Sequence, residues 1–479
     1  MNAPLRRVAI SVLVLFTLLI VNVNYVQVVR SDELRKNPLN TRVLAEEYNR
    51  QRGSLVIAGN EIAKSVRTGD RLAFLRQYPQ GPLYAAVTGY YSLVYGNTGL
   101  ERSENDILAG SDPRLFVRRL ADLFTGRDPQ GGDVVLTLDP GAQKAAMAGL
   151  NGVTGAVVAL DPATGKVLAL ASTPTYDPNQ LSSHDPTAIR AAAAKLATVT
   201  PDPRIDQAIS ERYSPGSVFK LIVAAAALSS GKYTPDTKIP APDRLTLPQS
   251  TKQLENFNGE SCNHGADQSL LDALTISCNT AFAQLGITLG EDKIRTMAEA
   301  FDIGKSVDLP LNVAPSTIGA INNDAQLGIS SIGQQDVQFT PMQGAMIAAA
   351  IANQGLLMKP YLVDSIQAPD LTVIDKLSPE QLGRAVSPEV ATALTQMMTS
   401  VVVRGTGKKA GIQGIQVAGK TGTAQNSATD HAWFVGFAPA DHPKIAVAVF
   451  VKNGGATGGD ISAPVARQVM QAYLSGHGG

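Results

Sequence analysis

A chain of 479 residues exceeds the usual size of one hydrophobic core, so two domains are the first expectation. Hydrophobic residues at 44% and charged residues at 17% exclude a disordered chain, and 41 basic against 41 acidic residues remove any global electrostatic case for nucleic acid. No internal repeat or low-complexity segment breaks the texture.

The N-terminus departs from this average. Arg6 and Arg7 precede an apolar stretch from Val8 to Val23 that runs on, diluted by Asn22, Asn24 and Gln27, to Val29. Crossing a bilayer takes about 20 apolar residues, which the stretch reaches by counting its polar tail. No A-x-A-like site follows in "VNVNYVQVVRSDEL", so residues 1–30 read as a retained signal-anchor rather than a cleaved signal peptide. The two arginines place the short end in the cytoplasm by the positive-inside rule, making the chain single-pass and exporting everything after residue 30.

Residues 31–140 are polar and turn-rich, with segments such as "YPQGPLYAAVTGYYSLVYGNTGLE" that read as short strands and loops of an accessory module. From Gly155, "GAVVAL" and "KVLALAS" flank a turn with Asp161, Pro162 and Gly165, predicting a hairpin that opens a second domain over 150–479. In "RYSPGSVFKLIVAAAALSSGKY", Ser214 suits a cap, Pro215 the first turn, and the apolar run from Leu221 a buried helix to about Gly231. Further helices are predicted at "SLLDALTISCNTAFAQLGITLG" and at "TPMQGAMIAAAIANQG", the latter with Thr340 as cap and Gly355 as stop. The tail reads as strands in "IQVAGKTGTAQ", "HAWFVGFAP" and "KIAVAVFVKN", closed by a helix from about Pro464 to Leu474. Helices between strands at both ends predict an α+β domain on a mostly antiparallel sheet.

The only cysteines are Cys262 and Cys278. In an exported chain a disulfide is favoured over two buried thiols, and closing so short a loop stabilises the fold by roughly 3 kcal/mol in the chain-entropy model. No cysteine–histidine spacing matches a zinc site, and no metal is expected.

Ser217 and Lys220, three residues apart near a helix start, share a face, and a neutral lysine amine can take a serine's proton. The S-x-x-K pattern recurs at Ser229 to Lys232, but only Ser217 has the Pro-Gly approach that presents a hydroxyl at a helix mouth. S-x-N also occurs twice. Ser277 to Asn279 follows a helical pattern, whereas Ser261 to Asn263 sits in a polar loop. A hydroxyl at Ser277 can relay protons, and the Asn279 amide can hold a substrate carbonyl. Lys420, Thr421, Gly422 and Thr423 offer a cation and two hydroxyls on a predicted strand, a set that suits a terminal carboxylate. Gly414 to Thr421 also matches the G-x-x-x-x-G-K-[ST] phosphate loop, yet no helix follows, and Ile415 to Ala418 are strand formers. The five histidines support no Ser-His-Asp triad; His431, opening a strand, is expected to cap or face solvent.

Taken in order, "SPGSVFK", "SCN" and "KTGT" resemble the three motifs of the penicillin-binding protein and serine β-lactamase superfamily. "RGSLVIAGNEIAKS", "GAVVALDPATGKVLALASTPTYDPN" and "VAGKTGTAQ…HAWFVGFAP" further resemble class B penicillin-binding proteins, especially the actinobacterial A-type group. The resemblance implies an N-terminal pedestal or dimerisation module over 31–140 and a transpeptidase domain, with flanking helices and a helical subdomain, over 150–479. It implies Ser217 as the acylated nucleophile, Lys220 as its base, and Ser277 and Asn279 beside the cleft. Lys420, Thr421 and Thr423 would bind the carboxylate, and the Ser217 and Thr423 N–H groups would form the oxyanion hole. The implied reaction cross-links peptidoglycan stem peptides with loss of D-alanine, without a cofactor, and β-lactams mimic the substrate. A D,D-carboxypeptidase or β-lactamase, and a non-turnover β-lactam sensor or scaffold, are the alternatives. The implied partners are the membrane, a second copy of the chain through the pedestal, and divisome or elongation-complex proteins. No glycosyltransferase module is expected, since only residues 31–140 separate anchor and second domain.

Overall fold

The computed structural model describes residues 3–30, 34, 47–115, 124, 130–426 and 428–477. Helix α1 (Ala3–Asn24) continues as a π-helical turn over Tyr25–Val29, and this 27-residue apolar run buries nothing against the protein. In chain order the main elements after it are β1 (Leu55–Ile57), β2 (Asn60–Arg67), β3 (Phe74–Gln77), α2 (Gly81–Thr88), β4 (Asp133–Leu136) and α3 (Pro140–Gly149). The hairpin β5 (Gly155–Leu160) and β6 (Val167–Thr173) leads to α4 (Lys220–Ser229), α5 (Leu270–Thr275), α6 (Asn279–Leu289) and α7 (Pro341–Ala352). Then come β7 (Val363–Gln367), β8 (Val373–Lys376), α8 (Pro388–Arg404), β9 (Ala418–Ala424), β10 (His431–Ala438), β11 (Ile445–Val451) and α9 (Ser462–Gly476).

The larger core is built on a five-stranded sheet of order β9-β10-β11-β5-β6, antiparallel throughout. Every residue of β5, β6 and β11 is buried, so both faces are covered and the strands read as unbroken apolar runs. Alternation divides their side chains between two cores. Ala156, Val158, Ala446 and Ala448 join the core containing α7, while Val157, Ala159, Val447 and Val449 join the one containing α3 and α9. The expected α+β architecture on an antiparallel sheet is observed.

The second large sheet has the order β8-β7-β4-β1-β2-β3, with β1 and β4 parallel and the other pairs antiparallel. Its strands come from both sides of the 140–150 stretch expected to separate two domains, because β7 pairs with β4.

Several local expectations change. The segment read as short strands and loops contains α2, started by Pro82 in its first turn and ended by Gly89 at φ +65°. Ser214 is not a cap: its hydroxyl accepts from Gln338 Nε2 at 3.1 Å and its carbonyl from Trp433 Nε1 at 3.0 Å. The helix there begins instead with a 3₁₀ turn over Gly216–Phe219. The single helix expected across Ser277 is two, α5 and α6, since Ser277 adopts a left-handed φ of +63° that no helix interior accommodates. Thr340 does cap α7, accepting from the Gln343 N–H.

Candidate active site

Ser217 is brought to its place by close backbone approach. Gly216 has φ +52°, and a Cβ there would lie 2.4 Å from the Thr423 carbonyl oxygen on β9. Its N–H donates to the Gly333 carbonyl at 3.0 Å, and a Cβ on Gly333 would in turn meet Gly216 O at 1.9 Å. Only glycine fits such contacts. Since β9 is an edge strand, its unpaired side faces the turn that carries Ser217. Lys220 follows on the 3₁₀-to-α junction, fully buried, while Ser217 stays partly open.

The break between α5 and α6 supplies the facing wall. Asn256 Oδ1 accepts from the N–H groups of Asn279 (2.9 Å) and Thr280 (3.1 Å), capping α6 from a distant loop. A disulfide joins Cys262 to Cys278, Cα atoms 5.8 Å apart, and ties that loop to the residue after Ser277. Lys220 Nζ donates to the Ser277 carbonyl at 2.6 Å and to Asn279 Oδ1 at 2.8 Å, and lies 3.3 Å from Ser277 Oγ. From the other side Lys420 Nζ donates to Ser277 Oγ at 2.9 Å and to the Thr421 carbonyl at 2.8 Å. The Ser277 hydroxyl therefore lies between two lysines from distant parts of the chain.

Neither lysine has a carboxylate ion pair among the described residues. Burial, and then the nearby Lys420 charge, push Lys220 well below the ordinary lysine range, and burial alone brings Lys420 down to about 7. The Phe282 ring, 5.6 Å from Lys220 Nζ, forms part of the dry surround. A neutral Lys220 amine is an acceptor poised one turn from a serine hydroxyl.

Ser217, Ser277, Asn279, Thr421 and Thr423 line one cavity of about 250 Å³. Lys220 and Lys420 reach it through Ser277. Of the other candidates, Ser229 and Lys232 are exposed at the end of α4, whereas Ser261 lines the same cavity and Asn263 donates to Asp267 O within an exposed loop. Lys420 and Thr421 lie in β9, which turns into β10 with no helix to receive a phosphate. His431 is half-buried rather than capping or solvated. Its ring packs edge-on against Tyr213 and Phe450, its Nδ1 accepts from the Asn453 N–H at 3.1 Å, and burial with the Lys452 charge lowers its pKa. Sequence reasoning missed Asn256, Thr406 and Thr457, which also border the cavity. Only the clustering of glycines around Thr457 hinted at close packing there.

A serine at a helix mouth with a desolvated lysine one turn on is the equipment of the active-serine enzymes that work through an acyl ester. Residues 155–471 match the model of the penicillin binding protein transpeptidase domain, and residues 52–134 that of the penicillin binding protein A dimerisation domain. The chain belongs to the penicillin-binding protein transpeptidase family. It is 50% identical to the peptidoglycan D,D-transpeptidase PbpA of Mycolicibacterium smegmatis over 99% of both chains. It is 49% identical to the protein of the same name from Mycobacterium tuberculosis, over 99% of this chain and 100% of that one. Among solved structures, the penicillin G acyl-enzyme complex of penicillin-binding protein A from M. tuberculosis superposes with a TM-score of 0.85, at 48% identity, covering 89% of this chain and 100% of that one.

Proposed function

We propose that this chain is a peptidoglycan D,D-transpeptidase, trapped covalently by β-lactams, in which Ser217 is the nucleophile. The carrying observation is the Ser277 hydroxyl, 2.9 Å from Lys420 Nζ and 3.3 Å from Lys220 Nζ in the cavity that Ser217 lines. Ser217 Oγ attacks the carbonyl carbon of the penultimate D-alanine as its proton passes to the neutral Lys220 amine. The oxyanion accepts from the N–H groups of Ser217 and Thr423. The peptide C–N bond then breaks, and the departing D-alanine nitrogen takes the proton from Lys220 through Ser277. An amine of a neighbouring stem attacks the resulting ester and surrenders a proton along the same route, so Ser217 leaves as a hydroxyl and the cross-link is made. Lys420, Thr421 and Thr423 hold the donor's terminal carboxylate, and Asn279 holds a backbone carbonyl of the stem.

The 27-residue run of α1 and its π-helical turn, with Arg6 and Arg7 near its start, anchors the chain with the remainder outside the cytoplasm. The Cys262–Cys278 disulfide agrees with an oxidising compartment. The dimerisation-domain match over residues 52–134 supports a homodimer. The test is intact-mass analysis and peptide mapping of the detergent-solubilised full chain after exposure to penicillin, followed by incubation with stem peptides. A single adduct on Ser217, absent in Ser217→Ala, and formation of cross-linked stems are expected. An adduct that survives Ser217→Ala would refute the assignment.

A further inference from the structure

Thr421 has a partner that the Lys420 to Thr423 motif does not itself supply. Thr406, in the turn after α8, places its Oγ1 2.6 Å from Thr421 Oγ1. The Thr406 backbone is held on two sides: its N–H donates to Thr275 O at 3.3 Å, and Gly459 approaches so closely that a Cβ there would lie 2.3 Å from Thr406 O. Thr421 is buried, Thr406 is exposed at the rim, and both line the Ser217 cavity.

Each hydroxyl carries one proton and two lone pairs, so only one of the two protons crosses this gap. If Thr421 donates, it turns lone pairs toward the cleft and repels an anion. If Thr406 donates, the Thr421 proton is released toward the cleft, and the accepted hydrogen bond polarises that O–H and makes it a better donor. Lys420 Nζ already uses the Thr421 carbonyl, which fixes the backbone of the residue being oriented.

We propose that Thr406 is a positioning residue for carboxylate recognition, donating to Thr421 Oγ1 so that the Thr421 O–H points at the ligand's carboxylate beside Lys420. The proposal rests on the reading of Lys420, Thr421 and Thr423 as the carboxylate subsite. It makes Thr406 a determinant of which acyl donors are held, without contact with the reacting carbonyl.

The experiment measures acylation of the full chain by benzylpenicillin and by its methyl ester, resolving the binding constant from the acylation step. For Thr406→Val, which keeps the volume and removes the hydroxyl, the benzylpenicillin binding constant should weaken about fivefold, the scale of one modest hydrogen bond. The acylation step should hold, the ester should lose nothing, and Thr406→Ser should restore binding. Thr406→Ala, which introduces no new contact, should repeat the Val result. An unaltered binding constant, or an equal loss for the ester, overturns the proposal while leaving Ser217 as nucleophile. Failure of the wild type to form any adduct overturns the transpeptidase reading as well, so the two failures are distinguishable.

Discussion

In the N-terminal sheet, Arg52 and Arg76 converge on Glu101; in the cleft, Lys220 and Lys420 converge on Ser277. Glu101 and both lysines are fully buried, and Arg52 and Arg76 nearly so. The arginines share a carboxylate: Glu101 takes Arg52 Nε at 2.7 Å and Arg76 Nε at 2.6 Å, and Tyr78 donates to it at 3.2 Å. Burial works against these charges, yet Glu101 holds Arg52 above its ordinary range, and Arg76 with Arg52 holds the Glu101 carboxyl below its own. The lysines meet a hydroxyl instead of a carboxylate, and burial drives both toward neutrality. A carboxylate partner keeps a buried cation charged; without one, burial favours the neutral amine, which at Lys220 serves as a base.

Removing the Lys220 amine with Lys220→Met is the largest test. Penicillin acylation should fall about 10³-fold, as expected for loss of a general base. The urea midpoint should fall, because the variant strands the Ser277 carbonyl and Asn279 Oδ1 without the donor they have in the wild type. A variant that acylates normally would place the base elsewhere. Glu101→Gln should lower stability by about 3–5 kcal/mol by stranding buried guanidinium charges. Folded protein should still take penicillin at the wild-type rate, and a stability within error of wild type would mean that the arginines do not need their partner.

A pH scan of stability then separates the regions by sign. Glu101 has a folded pKa below its unfolded value of about 4.3, so its contribution is present above that pH and lost as pH falls through the folded value. Lys420, at about 7 when folded and about 10.4 when unfolded, leaves the unfolded chain holding the extra proton in between. Stability should therefore climb as pH rises from about 7 toward 10.4, by at most about 1.4 kcal/mol per unit per lysine, with Lys220 acting in the same sense. Urea titrations of wild type and Lys420→Met check this: the variant should lose part of the alkaline rise, and an identical rise would remove Lys420 as its source.

The sequence exposed what local physics controls. The three-residue spacing of Ser217 and Lys220, the Thr340 cap and the apolar runs of β5, β6 and β11 depend on neighbours within a turn or on the strand alternation. Contacts that span the chain stayed hidden. Lys220 reaches Ser277 across 57 positions and Lys420 reaches it across 143, and no spacing rule encodes either. The left-handed Ser277 was lost inside a helical pattern because the residue that caps the following helix α6, Asn256, lies on another loop. α2 was missed because a short Gly-Pro-led helix in a polar setting has too few turns for a clear period.

The hairpin β7–β8 bears on how this molecule can be taken apart. Because those strands arrive after α7 yet complete the sheet begun by β1, severing the chain between β4 and β5 would not separate two modules. It would strip the six-stranded sheet of its last two strands and leave the flank of β4 bare, an invitation to aggregation. An exchange of this sheet between relatives must carry residues 363–376 along with residues 55–136, as one graft stitched in at two places.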